Sequence, residues 1–95
     1  MSDVVTEAVA ALNAKLAGGF SGTAKFAIKG EGSIMIDESG ARAGDEDADV
    51  TLTASTETFK AILDGELNPT TAFMTGKLSV DGDMGAAMRL SGVLG

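Results

Sequence analysis

Apolar residues change their spacing once near residue 20 and again near residue 55, and that change limits the fold more than any other feature. In the first segment Val5, Ala8, Val9, Leu12 and Leu16 recur every three or four positions, which predicts a helix with one apolar stripe. Ser2 or Asp3 is placed to cap its start, and Gly18-Gly19 to stop it, with Lys15 in the last turn. From Thr23 to Lys29 the period becomes two: Ala24, Phe26 and Ile28 alternate with Lys25, Ala27 and Lys29. After the turn Gly30-Glu31-Gly32, Ile34 and Ile36 bracket Met35 in a second strand. A weak polar strand around Ala41 to Gly44 follows the turn at 37–40. The acidic run 45–49 then leads into Val50-Thr51-Leu52-Thr53-Ala54, again alternating. Short connections between these segments predict a meander of four antiparallel strands.

Helical spacing returns at Ser55. Ser55 or Thr56 is the expected cap of a segment in which Phe59, Ile62 and Leu63 share a face, ended by Gly65. Asn68-Pro69 reads as an N-cap followed by proline at the first helical position. A short helix over 70–75 should then turn Phe73 or Met74 inward. Lys77 to Asp81 is a fifth strand with Leu78 and Val80 on one face. Gly82-Asp83 caps a last helix carrying Met84, Ala87, Met88, Leu90, Ser91 and Leu94. Each strand has one apolar and one polar face, so the sheet should be covered on one side only. The expected class is α+β: a five-stranded, mostly antiparallel sheet with helices packed on one face. A chain of 95 residues is expected to form one domain over residues 1–95.

Composition excludes much chemistry. The chain has no His, Cys, Trp or Tyr, so the usual nucleophilic triads, zinc sites and iron–sulfur sites lack their parts. Its net charge of −7 argues against nucleic acid as a partner and against bulk attraction to an anionic membrane. Asp45, Asp47 and Asp49 resemble the start of a calcium loop. Val50 stands where that loop needs Gly and Thr56 where it needs a bidentate Glu, so a solvated acidic loop is expected. Gly30-Glu31-Gly32 lacks the third glycine of a dinucleotide fingerprint, and Gly76-Lys77 is followed by Leu78 rather than Ser or Thr. No metal, nucleotide or other cofactor is expected, and nothing places paired carboxylates in an apolar pocket for acid–base work. The N-terminal segment carries Asp3 and Glu7 where a secretory signal would be basic, and no apolar run reaches the length of a membrane span. A cytoplasmic protein is the expectation.

What remains is apolar surface. Met84 and Met88 lie one helical turn apart and are able to shift rotamers around different apolar partners, although on spacing alone core filling explains them better. Gly82, Gly85 and Gly92 flank or interrupt that helix and would weaken it locally.

The stretch from Asp49 to Leu90 resembles the signature half of the sterol carrier protein 2 family. The matching parts, in order, are the Asp-x-x-Leu opening at Asp49, Gly65-Glu66-Leu67-Asn68-Pro69, Ala72-Phe73-Met74-x-Gly76-Lys77-Leu78, and Val80-x-Gly82-Asp83 leading into Met84 and Leu90. The resemblance implies a mixed five-stranded sheet, helices on one face and a hydrophobic tunnel between the layers. It implies a non-catalytic carrier of fatty acids, fatty acyl-CoA, phospholipids or sterols, here a stand-alone bacterial monomer with at most transient membrane contact. The side chains expected to bound the lipid site are Phe26, Ile34 and Ile36 on the sheet, and Phe59, Ile62, Leu63, Phe73, Met74, Met84 and Met88 on the helices. The alternative is an accessory or scaffold protein that presents an apolar groove to a partner protein or an isoprenoid quinone intermediate.

Overall fold

The computed structural model describes residues 3–16 and 19–94. Helix α1 (Asp3–Lys15) is followed by strands β1 (Ala24–Ile28), β2 (Gly32–Asp37), β3 (Gly40–Ala43) and β4 (Val50–Ala54). Helices α2 (Thr56–Leu63) and α3 (Pro69–Met74), strand β5 (Leu78–Gly82) and helix α4 (Met84–Leu94) complete the chain. Three expected caps form. Ser55 accepts the Thr58 N–H at 3.2 Å, Asn68 accepts the Thr70 N–H at 2.8 Å, and Asp83 accepts the Gly85 N–H at 2.8 Å. Asp3 stands inside the first turn of α1; the alternative cap Ser2 and the stop residue Gly18 lie outside the described residues. Gly19 closes α1 with φ of +77°, its N–H donating to Leu16 O at 2.7 Å.

The sheet order is β3-β2-β1-β4-β5, with β1 and β4 parallel and the other pairings antiparallel. The expected meander is therefore corrected at its fourth strand, which lies across β1 rather than beside β3. Moving from β3 to that place spans three strand spacings, about 14 Å. Residues 44–49 reach about 20 Å when extended, so the length suffices. Packing supplies the preference: beside β1, Val50 and Leu52 lie opposite Ala24 and Phe26 in the middle of the sheet. The polar β3, with only Ala41 and Ala43 on that face, is left at the edge.

The register places Ala24, Phe26, Ile28, Ile34, Ile36, Val50, Leu52, Ala54 and Leu78 on one face, all buried, with Val80 partly so. Leu12, Phe59, Ile62 and Leu90 meet them from the helices. The opposite face is not wholly polar. Met35 points there and is 2% exposed, because the crossing segment 44–49 lies over it and Glu46 N–H reaches its sulfur at 3.4 Å. Lys25 on the same face pairs with Asp45 at 2.9 Å, which ties down the segment's start. The acidic run thus acts partly as a strap.

The β3 edge is protected by a side chain. Asn13 of α1 donates to Ala41 O at 3.0 Å and accepts Ala41 N–H at 2.8 Å, so its carboxamide pairs with the strand as a neighbouring backbone would.

Candidate functional site: two helical clefts and an exposed apolar surface

The ten expected site residues separate into three groups. Phe26, Ile34, Ile36 and Ile62 are buried within the layer between sheet and helices, and this layer is packed. Phe59 joins them, its ring centroid 4.3 Å from that of Phe26 and tilted by 59°. Phe59 and Leu63 also line a cleft of about 210 Å³ between α1 and α2. Val4, Ala8 and Ala11 form the α1 side of that cleft, and Glu7, Lys60 and Asp64 stand with them around it.

The third group points outward, and here the expectation is corrected. Phe73 is 43% exposed, Met74 78%, Met84 48% and Met88 72%. On α3 it is Ala72 with Pro69 that turns inward, since a short helix lying close to β5 has room for a small side chain at its contact point. On α4 the buried stripe is Ala86, Ala87, Leu90 and Leu94, which leaves Met84 and Met88 on another side of the helix. Spacings of three and four fit both stripes, so periodicity did not separate them. Met88 borders a second cleft of about 360 Å³, shared by Ser91 and Gly92 of α4 with Asn68 and Thr70.

Sequence reasoning missed the contribution of α1. Val4, Ala8 and Ala11 form a second stripe at spacings of four and three beside the buried Val5-Ala8-Leu12 stripe. Small alanines next to a core stripe leave space over a neighbouring helix, and that was the available signal.

Electrostatics at the α1–α2 cleft are simple. Lys60 makes no ion pair among the described residues, while the ion pairs present, Lys25–Asp45 and Arg42 with Asp37 and Glu46, lie on the strand side of the molecule. Arg42 and the Ser39 N–H hold the Asp37 carboxyl below its usual range by hydrogen bonding, and Asp37 in turn raises the Arg42 guanidinium. Among the described residues no group of three or more acidic side chains is placed to hold a metal ion, and no helix is long and apolar enough to cross a membrane.

A sheet in the order 3-2-1-4-5, covered on one face by helices, is a fold seen before. A model of the SCP-2 sterol transfer family matches residues 6–95. The chain belongs to this family. It is 39% identical over 61 residues to sterol carrier protein 2 of Gallus gallus, covering 64% of this chain and 10% of that protein. Over 88 residues it is 34% identical to hydroxysteroid dehydrogenase-like protein 2 of Bos taurus, covering 93% of this chain and 20% of that one. The chain thus spans a small part of these curated relatives. The solution structure of sterol carrier protein 2 from Aedes aegypti, in complex with the C16 fatty acid palmitate, superposes with a TM-score of 0.79 at 24% identity, covering 99% and 96% of the two chains. UbiJ-SCP2, a ubiquinone synthesis protein, superposes at 0.65 with 19% identity, covering 99% and 93%. The mixed sheet and one-sided helical cover of the SCP-2 family are the fold described above. Among the described residues, the layer where a tunnel would run holds the Phe26–Phe59 pair and the surrounding isoleucines.

Proposed function

We propose that residues 1–95 act as one non-catalytic lipid-binding and transfer domain that carries fatty acids, fatty acyl-CoA or similar long-chain lipids, sterols included. The observation that carries this reading is the α1–α2 cleft, whose apolar wall of Val4, Ala8, Ala11, Phe59 and Leu63 leads directly onto the core. Membership of the SCP-2 family and the likeness to a palmitate complex support it. An acyl chain gains about 0.8 kcal/mol for each methylene removed from water, so a dry slot holds one with few polar contacts. Lys60 offers a cation for a carboxylate or phosphate head, beside the two carboxylates Glu7 and Asp64 of the same lining.

The cleft's 210 Å³ is smaller than the roughly 300–1,000 Å³ of ordinary small-molecule sites. A long chain must therefore continue inward, moving Phe59 and Leu63 and spreading α1 from α2, past Ile62 toward Phe26, Ile34 and Ile36. The same proposal includes a cytoplasmic location and a monomeric state, which fractionation and analytical ultracentrifugation read directly.

The test combines lipid extraction from purified protein, read by mass spectrometry, with binding of a fluorescent fatty acid to Leu63→Asp. Co-purified long-chain lipid and at least tenfold weaker binding by the folded variant are expected. A folded variant that binds as the wild type does would overturn the site. A second reading, an accessory protein presenting an apolar surface to a partner protein or isoprenoid quinone, is favoured by the outward Phe73, Met74, Met84 and Met88 and by the fold shared with UbiJ-SCP2. Isoprenoid quinone or a protein in the extract, without fatty acid, would select it.

A further inference from the structure

We infer that the α3–α4 surface is where this protein docks on a lipid bilayer, with Phe73, Met74, Met84 and Met88 entering the headgroup region. The inference rests on the carrier reading above and names the surface that holds the protein against the membrane.

Large apolar side chains on a helical surface need an apolar partner, and here they gather on two helices packed against each other. Charge identifies the partner. The chain has 14 acidic and 7 basic residues, yet residues 68–77 and 84–94 contain no carboxylate side chain and two cations, Lys77 and Arg89. Asp83, which caps α4 beside Met84, is a carboxylate at the border of these two stretches. With Lys77 and Arg89 against it, they are the part of a chain of net charge −7 that best complements bilayer phosphates. Lys77 is exposed at the end of α3, where its stem can lie along the surface and its ammonium can reach a phosphate.

A protein partner fits less well. Binding hot spots favour Trp, Tyr and Arg. The chain has no Trp or Tyr, and Arg89 is already engaged, stacked over Phe20 at 5.8 Å and donating to Ser21 O at 3.4 Å. Unbranched methionines, which adapt to irregular apolar surroundings, suit acyl chains. Continuity adds to this: Met88 belongs to both the exposed surface and the α3–α4 cleft, so docking would turn that cleft toward the bilayer.

The experiment is sedimentation with sucrose-loaded phosphatidylcholine vesicles, comparing the wild type with Met74→Gln/Met84→Gln. Both positions are exposed, so circular dichroism and the thermal midpoint should be retained. The uncharged glutamines change apolar contact alone. At least a tenfold lower vesicle partition coefficient is expected for the variant. Fluorescent fatty-acid binding in free solution should be retained, because neither side chain lines the α1–α2 cleft. Equal partitioning of both proteins, or no partitioning by the wild type, would overturn the docking surface even where fatty acid still binds. A wild type that fails to bind fatty acid would instead overturn the carrier reading. Sedimentation equilibrium showing a dimer that the double variant dissociates would assign the surface to a second copy and overturn the inference.

Discussion

Phe59 stands where core and cleft meet, so it is the residue at which stability and binding are hardest to separate. It is fully buried, in contact with Phe26, and also forms part of the α1–α2 cleft wall. Phe59→Ala removes a large side chain from a packed layer and is expected to destabilise the fold by about 3–5 kcal/mol, measured as a fall in urea midpoint. Leu63 is half-buried at the cleft's outer part, so changing it addresses binding with less damage. Asp37 bears on pH. Its folded-state carboxyl lies below the ordinary range, so the stability it contributes is present above about pH 4, where an unfolded Asp ionises. That contribution is lost as pH falls through the lower folded value. Asp37→Asn should flatten this acid limb in urea denaturation followed from pH 2 to 6, and an unchanged limb would remove Asp37 from it. Arg42 is exposed and Asp37 only partly covered, so solvent screens the pair and the effect is small.

At the level of elements, the caps are the locally encoded parts. Ser55→Ala and Asn68→Ala should each cost about 1 kcal/mol, because each leaves a helix-end N–H without its side-chain acceptor. Two glycines of the α4 region should respond in opposite directions. Gly82 has φ of +116° and lies against the Asp49 carbonyl, so Gly82→Ala is expected to lower the thermal midpoint by straining the β4–β5 edge. Gly92 lies within α4 with open space where a Cβ would stand, so Gly92→Ala is expected to stabilise by about 0.4–1 kcal/mol. If spreading of α4 contributes to lipid exchange, the same substitution slows release of fluorescent fatty acid in stopped-flow mixing.

For the whole molecule, the sheet and the helical layer have different roles. Strands β2, β1 and β4 are paired on both sides, whereas α1 and α2 flank the cleft proposed to admit a long chain. Amide hydrogen exchange should therefore be slowest in β1, β2 and β4. Saturating fatty acid should slow it most in α1 and α2. Protection gained only in the strands would contradict entry between these helices. A net charge of −7 opposes self-association, and the bilayer contact proposed above falls on the part of the surface poorest in carboxylates.

Periodicity and capping chemistry act over a few residues, and what depends on them was legible in the sequence. The elements, the inward sheet face from Phe26 to Leu78 and the caps at Ser55, Asn68 and Asp83 all follow from spacing and from which side chains satisfy a helix end. The forty-residue match from Asp49 onward added the family. Three things waited for the tertiary structure. The alternation of Val50, Leu52 and Ala54 suits a parallel or an antiparallel neighbour equally, so only burial beside Ala24 and Phe26 placed β4 next to β1. Met35 is apolar on a polar face, and only the crossing of residues 44–49 explains its burial. Met84 and Met88 share helical spacing with a buried stripe, and the direction α4 turns is set by Ala86, Ala87, Leu90 and Leu94 packing inward. A helix's period tells which residues share a face; which face is covered depends on what packs against it, and that is settled by residues distant in the chain.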